Sequence, residues 1–262
     1  MYQGFGTVYT LTSPFNGNCN FMHSPDEAGT KYAALNAEQW EETMNCGRCV
    51  EVSCTDPTCA DRPSEVVHIL DQCPGCGYGG LDLSPEVFEK ITGQTYTILP
   101  IEWKFVDCPV SSNVEYCLKT GSTEFWVAVQ PTNLDSGVTS MKIDNQETSR
   151  VDSAFYFLID GKGKSVANLS ALSISLTNVN GEVLEDTLSM KADLCTAGSS
   201  QFSPSGDIYQ TTTISEEASQ EPNSTACADT TIFGCSAVSG ISCTKLIFSF
   251  LLPLNGALGC WF

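Results

Sequence analysis

The chain has 262 residues with 12 Lys and Arg against 31 Asp and Glu, a formal charge of −19 at pH 7, and 42% of it is apolar and 10% aromatic. That is enough apolar material for the cores of two domains. The acidic excess, with its few cations scattered, excludes a phosphate backbone and so nucleic acid as partner, and it favours an uncharged ligand such as a neutral polysaccharide.

Fourteen cysteines point to an oxidising compartment, because reducing cytosol leaves thiols unpaired. The sequons Asn168-Leu169-Ser170 and Asn223-Ser224-Thr225 agree with a secreted chain. Met1 is followed by Tyr2, Gln3 and Gly4, without a basic or an apolar leader region, so the expected secretory signal is absent from this chain.

The first segment runs to about Pro109 and mixes short β-rich runs, Cys49 to Cys54, Val66 to Asp71 and Ile101 to Val106, with two helices. One helix is predicted from Asn36, an N-cap with Gln39 three positions on and Trp40 and Met44 at helical spacing. The other begins at Ser84-Pro85, places Val87, Phe88 and Ile91 on one side and stops near Gly93. These helices are expected to brace a small barrel. The second segment, Glu115 to Cys195, reads as all β, with strands at Phe125 to Gln130, Ser140 to Asp144, Ala154 to Asp160, Ala171 to Asn178 and Val183 to Met190. Leu172, Ile174 and Leu176 alternate with Ser173, Ser175 and Thr177, one buried face and one wet face, as in a β-sandwich.

Beyond Thr196 the composition turns to Ser, Thr and acidic residues, which predicts a flexible stalk. It ends in the apolar stretch Leu246 to Leu254, running on to Phe262 and interrupted by Pro253 and Asn255. Seventeen residues are short for a spanning helix. Small residues at Gly234 to Ser236, a polar spacer and a hydrophobic end instead suggest a GPI-anchor signal.

Two carboxylates stand out, Asp71 at the end of Val66-Val67-His68-Ile69-Leu70 and Asp82 in Gly80-Leu81-Asp82-Leu83-Ser84. A strand end followed by the Gly-rich loop Gln72 to Gly80 can fold back and bring both acids to one groove that a polymer approaches closely. The alternative is structural, with Asp82 bonding backbone donors beside the helix start and Asp71 capping a turn. Cys46-x-x-Cys49 and Cys73-x-x-Cys76 resemble a zinc-ribbon pattern with too long a gap. A redox CxxC lacks its βαβ context here. His23 and His68 lie far apart and build neither a metal site nor a triad, and the Gly75 to Gly80 run matches no phosphate or dinucleotide loop. No metal and no cofactor is expected.

The run Val67 to Cys76, followed by Gly80 to Phe88, resembles the central motif of expansins and expansin-like proteins. So do Gly6-Thr7-Val8-Tyr9, Gly17 to Phe21, Tyr32 to Leu35, Asn45 to Cys49 and Ile101 to Pro109, while Gly121 to Gln130 is similar to the first strands of the expansin carbohydrate-binding domain. The resemblance covers about Gly4 to Met190. It implies a mainly β chain: a six-stranded double-psi β-barrel (residues 1–112), an immunoglobulin-like β-sandwich (113–195), a Ser/Thr-rich linker (196–245) and a hydrophobic tail (246–262).

The resemblance further implies a secreted, monomeric protein that binds β-glucan of the cell wall and loosens it without hydrolysis. Asp82 matches the essential aspartate, Asp71 a second acidic groove residue, and Thr7 and Tyr9 the first-strand groove residues. Tyr78 in the loop joins them as a candidate sugar contact. Inverting glycosidases need an acid and a separate water-holding carboxylate about 6.5–9.5 Å apart. In the related endoglucanases the base follows the first-strand aromatic, where this sequence has Thr10. Asp71 is then the residue that could act as base in an endo-β-glucanase, and a binding-only wall protein is the other alternative. The implied disulfides are Cys19 with Cys46, Cys49 with Cys108, Cys54 with Cys59, Cys73 with Cys76, and Cys117 with Cys195. On the sandwich, alternation places Phe125 with Val127 and Val129 on a buried face and Trp126 with Ala128 and Gln130 on the other. Trp126 is the expected exposed platform, with Phe125 as a second candidate. The third ring of the usual row has no clear counterpart near Ser153.

Overall fold

Short β-prone runs punctuated by Gly, Pro and Asn form two successive β-structures in the computed structural model, which describes residues 1–151 and 153–204. The linker beyond residue 204, the apolar tail with its candidate anchor signal, and Cys227, Cys235, Cys243 and Cys260 lie outside the described residues.

The first structure contains β1 (Tyr2–Val8), β2 (Tyr32–Asn36), α1 (Ala37–Trp40), β3 (Cys49–Cys54), β4 (Glu65–Cys73), β5 (Leu81–Leu83), α2 (Pro85–Thr92) and β6 (Leu99–Val106). Its six strands close a barrel in the order β1-β5-β2-β4-β3-β6. The pairs β1/β5 and β2/β4 are parallel. The interior is filled by Ala33, Leu35, Val50, Val52, Val67, Ile69, Leu81, Leu83, Ile101 and Trp103, all buried. Helix α2 has the expected ends. Ser84 caps it, Pro85 opens it and Gly93 closes it in the left-handed region at φ 71°.

The other predicted helix makes only one turn. Asn36 caps Gln39 as expected, but Glu41, Glu42 and Thr43 all take positive φ (49°, 50° and 77°), so Met44 lies outside the helix. The cause is tertiary. Asn45 Nδ2 donates to the Gln39 carbonyl at 2.7 Å, and Cys46 is tied to Cys19, which together pull the chain out of the helix.

The second structure consists of β7 (Glu115–Leu118), β8 (Trp126–Thr132), β9 (Val138–Ile143), β10 (Gln146–Glu147), β11 (Ser149–Arg150), β12 (Phe157–Asp160), β13 (Leu172–Asn178), β14 (Val183–Leu188) and β15 (Cys195–Ala197). These form a four-stranded sheet, β10-β9-β13-β14, and a five-stranded sheet, β11-β12-β8-β7-β15. Their inner faces share one apolar core. Along β13 Leu172, Ile174 and Leu176 are buried and the Ser and Thr between them half-buried, which is the expected alternation. The Tyr116 hydroxyl crosses from one sheet to Asp186 on the other at 3.1 Å. Residues past Cys195 still belong to the fold, since β15 pairs with β7 and Phe202 is buried in the core. Residues 196–202, expected to open the linker, therefore belong to the fold.

Barrel and sandwich meet over the segment Cys19–His23. Gln130 Nε2 donates to the carbonyls of Cys19, Asn20 and Phe155, its Oε1 accepts from the Met22 amide, and Phe21 packs edge-on against Phe155 at 5.8 Å. Five disulfides are present among the described residues: Cys19–Cys46, Cys49–Cys108, Cys54–Cys59, Cys73–Cys76 and Cys117–Cys195. All four cysteines of the zinc-like pattern are thus paired.

Candidate functional site

Asp82 is the middle residue of β5, between fully buried Leu81 and Leu83, so period-two alternation turns it outward. Register then sets its neighbours, Thr7 on β1 and Ala34 on β2. Ala34 also pairs with Asp71 on β4. Thr7, Asp82, Ala34 and Asp71 therefore form one row across four adjacent strands. Asp71 joins the row through a register shift, because Ala33 faces Ile69 and Ala34 faces Asp71, leaving Leu70 extra in β4. Without that bulge, strict alternation from buried Ile69 would set Leu70 in the row and turn Asp71 inward.

Two strand spacings put the Asp71 and Asp82 backbones about 9.5 Å apart. The Asp82 carboxylate accepts a hydrogen bond from the Thr7 hydroxyl. Asp71 Oδ1 accepts from the amides of Asn18 and Gln72, each at 2.8 Å. One oxygen of Asp71 is thus committed to holding the turn before Cys19 against β4. Tyr9 does not line the groove as expected. Its ring stands edge-on to Tyr32 at 5.4 Å, and its hydroxyl is buried with no hydrogen-bond partner among the described residues. Burial, then the charge of Asp71, then Tyr32 and Asp82, raise its pKa far above the ordinary phenol value, so it backs the acids as a neutral hydroxyl.

Beside the row lies a groove of about 290 Å³ lined by Phe5, Thr7, Cys73, Cys76, Tyr78 and Ile98, with glycines 75, 77 and 80 between them. Phe5, Tyr78 and Ile98 are 62%, 56% and 64% exposed. No cation lines it. Phe5 and Ile98 are additions to the candidates named from sequence. Phe5 alternates with Thr7 on the outward face of β1, a pattern legible in the chain, whereas Ile98 carries no local signal. The loop is seated by close backbone contact, since a Cβ on Gly4 would lie 2.2 Å from the Gly79 carbonyl carbon. Gly79 is further held by Trp103 Nε1 to its carbonyl (2.8 Å) and by its amide to Gln39 Oε1 (3.0 Å).

On the sandwich the expected faces of Phe125 and Trp126 need correction. Phe125 precedes β8, where alternation does not reach, and is 43% exposed instead of buried. Ala128 and Gln130 are fully buried because Cys19–Met22 covers them, and Trp126 is half-buried at the margin of that cover, against a cluster of Ala128, Ala154 and Tyr156. Phe155, Tyr156 and Phe157 are all buried and offer no third platform.

A double-psi β-barrel family model described as lytic transglycolase matches residues 32–103. Expansin-YoaJ of Bacillus subtilis is 29% identical over 196 residues, 72% of this chain and 78% of the relative. Expansin-like protein 5 of Dictyostelium discoideum is 30% identical over 143 residues, 51% of this chain and 58% of the relative. A crystal structure of the apo expansin of Clavibacter michiganensis superposes with a TM-score of 0.65 at 24% identity, over 78% of this chain and 98% of that one. In sequence and fold the chain is similar to the expansin and expansin-like proteins. A second structure of the Clavibacter expansin, an aspartate-to-asparagine mutant, is a complex with cellohexaose, with the same coverage and TM-score. In this chain the barrel comes first and the two sheets follow it. The groove disulfide Cys73–Cys76 and the half-buried Trp126 are features of its own side chains.

Proposed function

We propose that the chain is an extracellular wall protein that binds β-glucan along the Asp71–Asp82 groove and the Trp126 face and loosens it without net hydrolysis. The observation that carries this reading is the row Thr7, Asp82, Ala34 and Asp71 beside an apolar rim of Phe5, Tyr78 and Ile98. Sugars present hydroxyls to polar groups and C–H faces to apolar rings, and this groove supplies both without a cation. The complex of the Clavibacter expansin with cellohexaose supports a linear glucan as ligand. The disulfides support an oxidising location. Hydrolysis by inversion needs a carboxylate free to hold a water. Thr10 stands at the position of that base in related endoglucanases, and Asp71 shares an oxygen with two amides.

The test compares the purified chain with its Asp82→Asn variant in wall creep, binding to insoluble cellulose and release of reducing sugar. Expected are creep without sugar release, a loss of creep of at least tenfold in the variant, and binding changed less than twofold. Sugar release that disappears with Asp82→Asn would make the chain an endo-β-glucanase with Asp71 as base. Binding without creep in both proteins would make it a structural binder.

A further inference from the structure

We propose that Cys73 and Cys76, in their dithiol form, complete with Asp82 a binding site for a divalent cation of the zinc class. Both sulfurs and one Asp82 carboxylate oxygen lie within 4.8 Å of one another. Zinc takes thiolates at about 2.3 Å and carboxylate oxygen at about 2.0–2.2 Å, so neighbouring donors around it stand about 3.5–3.8 Å apart. The Asp82 oxygen is already within reach of both sulfurs, which are joined in the disulfide and move apart to that spacing when the bond opens, with the fourth position left to water. Cys73-Pro74-Gly75-Cys76 is a turn closed by the Cys76 amide on the Cys73 carbonyl at 3.1 Å, which keeps both sulfurs on one side. The flanking Gly75 and Gly77 have open space where a side chain would stand, so the turn has room to widen when the S–S bond opens.

Access favours this pair over the others. Each of the other four disulfides contains a cysteine no more than 2% exposed, namely Cys19, Cys49, Cys59 and Cys117, whereas Cys73 and Cys76 are both partly exposed on the groove wall. Opening the bond takes two electrons and two protons from a small dithiol, which becomes a cyclic disulfide. Cation binding then releases the two thiol protons. The site exists independently of the wall-loosening reading. Its consequence, that a bound cation occupies the Asp82 carboxylate and stops loosening, rests on it.

The test reduces the folded full chain with dithiothreitol, removes the reductant without air, and titrates Co²⁺ while following the thiolate-to-metal and tetrahedral absorption bands. The reduced chain is expected to bind one Co²⁺ more than the Cys73→Ser/Cys76→Ser double variant, and Zn²⁺ to displace it. Asp82→Asn is expected to keep the bands and weaken Co²⁺ at least tenfold. Equal Co²⁺ binding by the double variant, or unchanged affinity in Asp82→Asn, overturns the proposal. Should the double variant misfold, absence of thiolate bands in the reduced parent chain overturns it equally. Zn²⁺ is expected to block creep in the reduced chain and not in the oxidised one. A chain with no creep in any state refutes the loosening reading and leaves the metal result standing.

Discussion

Trp126 owes its exposed edge to its place as the first residue of β8. Ala128 and Gln130, on the same face, are sealed beneath the Cys19–Met22 segment, and only the strand end projects past that cover. An aromatic contact contributes about 0.5–1.5 kcal/mol beyond its buried area. Trp126→Ala should therefore weaken adsorption to insoluble glucan about three- to tenfold, and Phe125→Ala should act in the same direction. Tyr156→Phe, at a buried ring, should leave the isotherm alone. An unaltered isotherm for Trp126→Ala would place the sugar on another face. Single residues were legible where a motif carries them, as for Asp71, Asp82 and Thr7. They were not where exposure depends on what a distant segment covers. Phe125 and Tyr9 show this from opposite sides: a ring read as buried is open, and a ring read as groove lining has its hydroxyl shut in.

At the scale of elements, legibility followed how local the instruction is. The Ser84-Pro85 start and Gly93 stop of α2 lie within one stretch of chain, and the helix forms between them. The stop of α1 is imposed by Asn45 and by the Cys19–Cys46 bond, whose far end no window around Asn36 contains. Strands β1 and β2 carry glycine and alanine where neighbouring backbones crowd, and β5 is only three residues long, so their β signal is weak although they hold the site. The same crowding gives a sharp contrast between two glycines of one loop. Gly79 has φ +75°, and a Cβ there would stand 2.0 Å from the Gln3 carbonyl oxygen, while a Cβ on Gly77 meets nothing within 4 Å. The left-handed conformation alone costs a non-glycine residue about 1–2 kcal/mol. Gly79→Ala should lower thermal stability by more than that and reduce glucan binding as the loop lifts from β1, with Gly77→Ala close to wild type in both. Equal behaviour of the two variants in a melting series would show that the loop is not seated on β1.

The molecule as a whole is joined at a barrel–sandwich junction that contains two oppositely perturbed acids. Burial, with Lys31 adding to it, lowers His68 from 6.5 to about 4. It stands beside Phe21, Leu70 and Leu134, with its Nδ1 3.3 Å from Cys49 Sγ. Asp135 is raised from 3.8 to about 6 by burial, with Asp107 and Glu182 adding to it and Ser136 opposing. Its backbone carbonyl accepts from the Cys108 amide at 2.6 Å, one of the links between the two structures. The depressed His68 contributes stability that is present above 6.5 and lost as pH falls through about 4. The raised Asp135 contributes stability that is full below 3.8 and lost as pH rises through about 6. From pH 7 to 5 the first effect removes about 2 kcal/mol and the second, discounted for solvent screening, returns about 1 kcal/mol. The second only partly offsets the first, so the wild type should lose about 1 kcal/mol over this range, a fall of roughly 2–4 °C. Single variants uncouple them. Asp135→Asn should lose about 2 kcal/mol on acidification, a fall of roughly 4–8 °C, whereas His68→Leu should gain about 1 kcal/mol, a rise of roughly 2–4 °C. Melting curves at pH 7, 6 and 5 distinguish the cases, since the variants diverge in opposite directions only if both groups titrate at the junction. Profiles parallel to the wild type would mean that acid stability is set elsewhere in the chain.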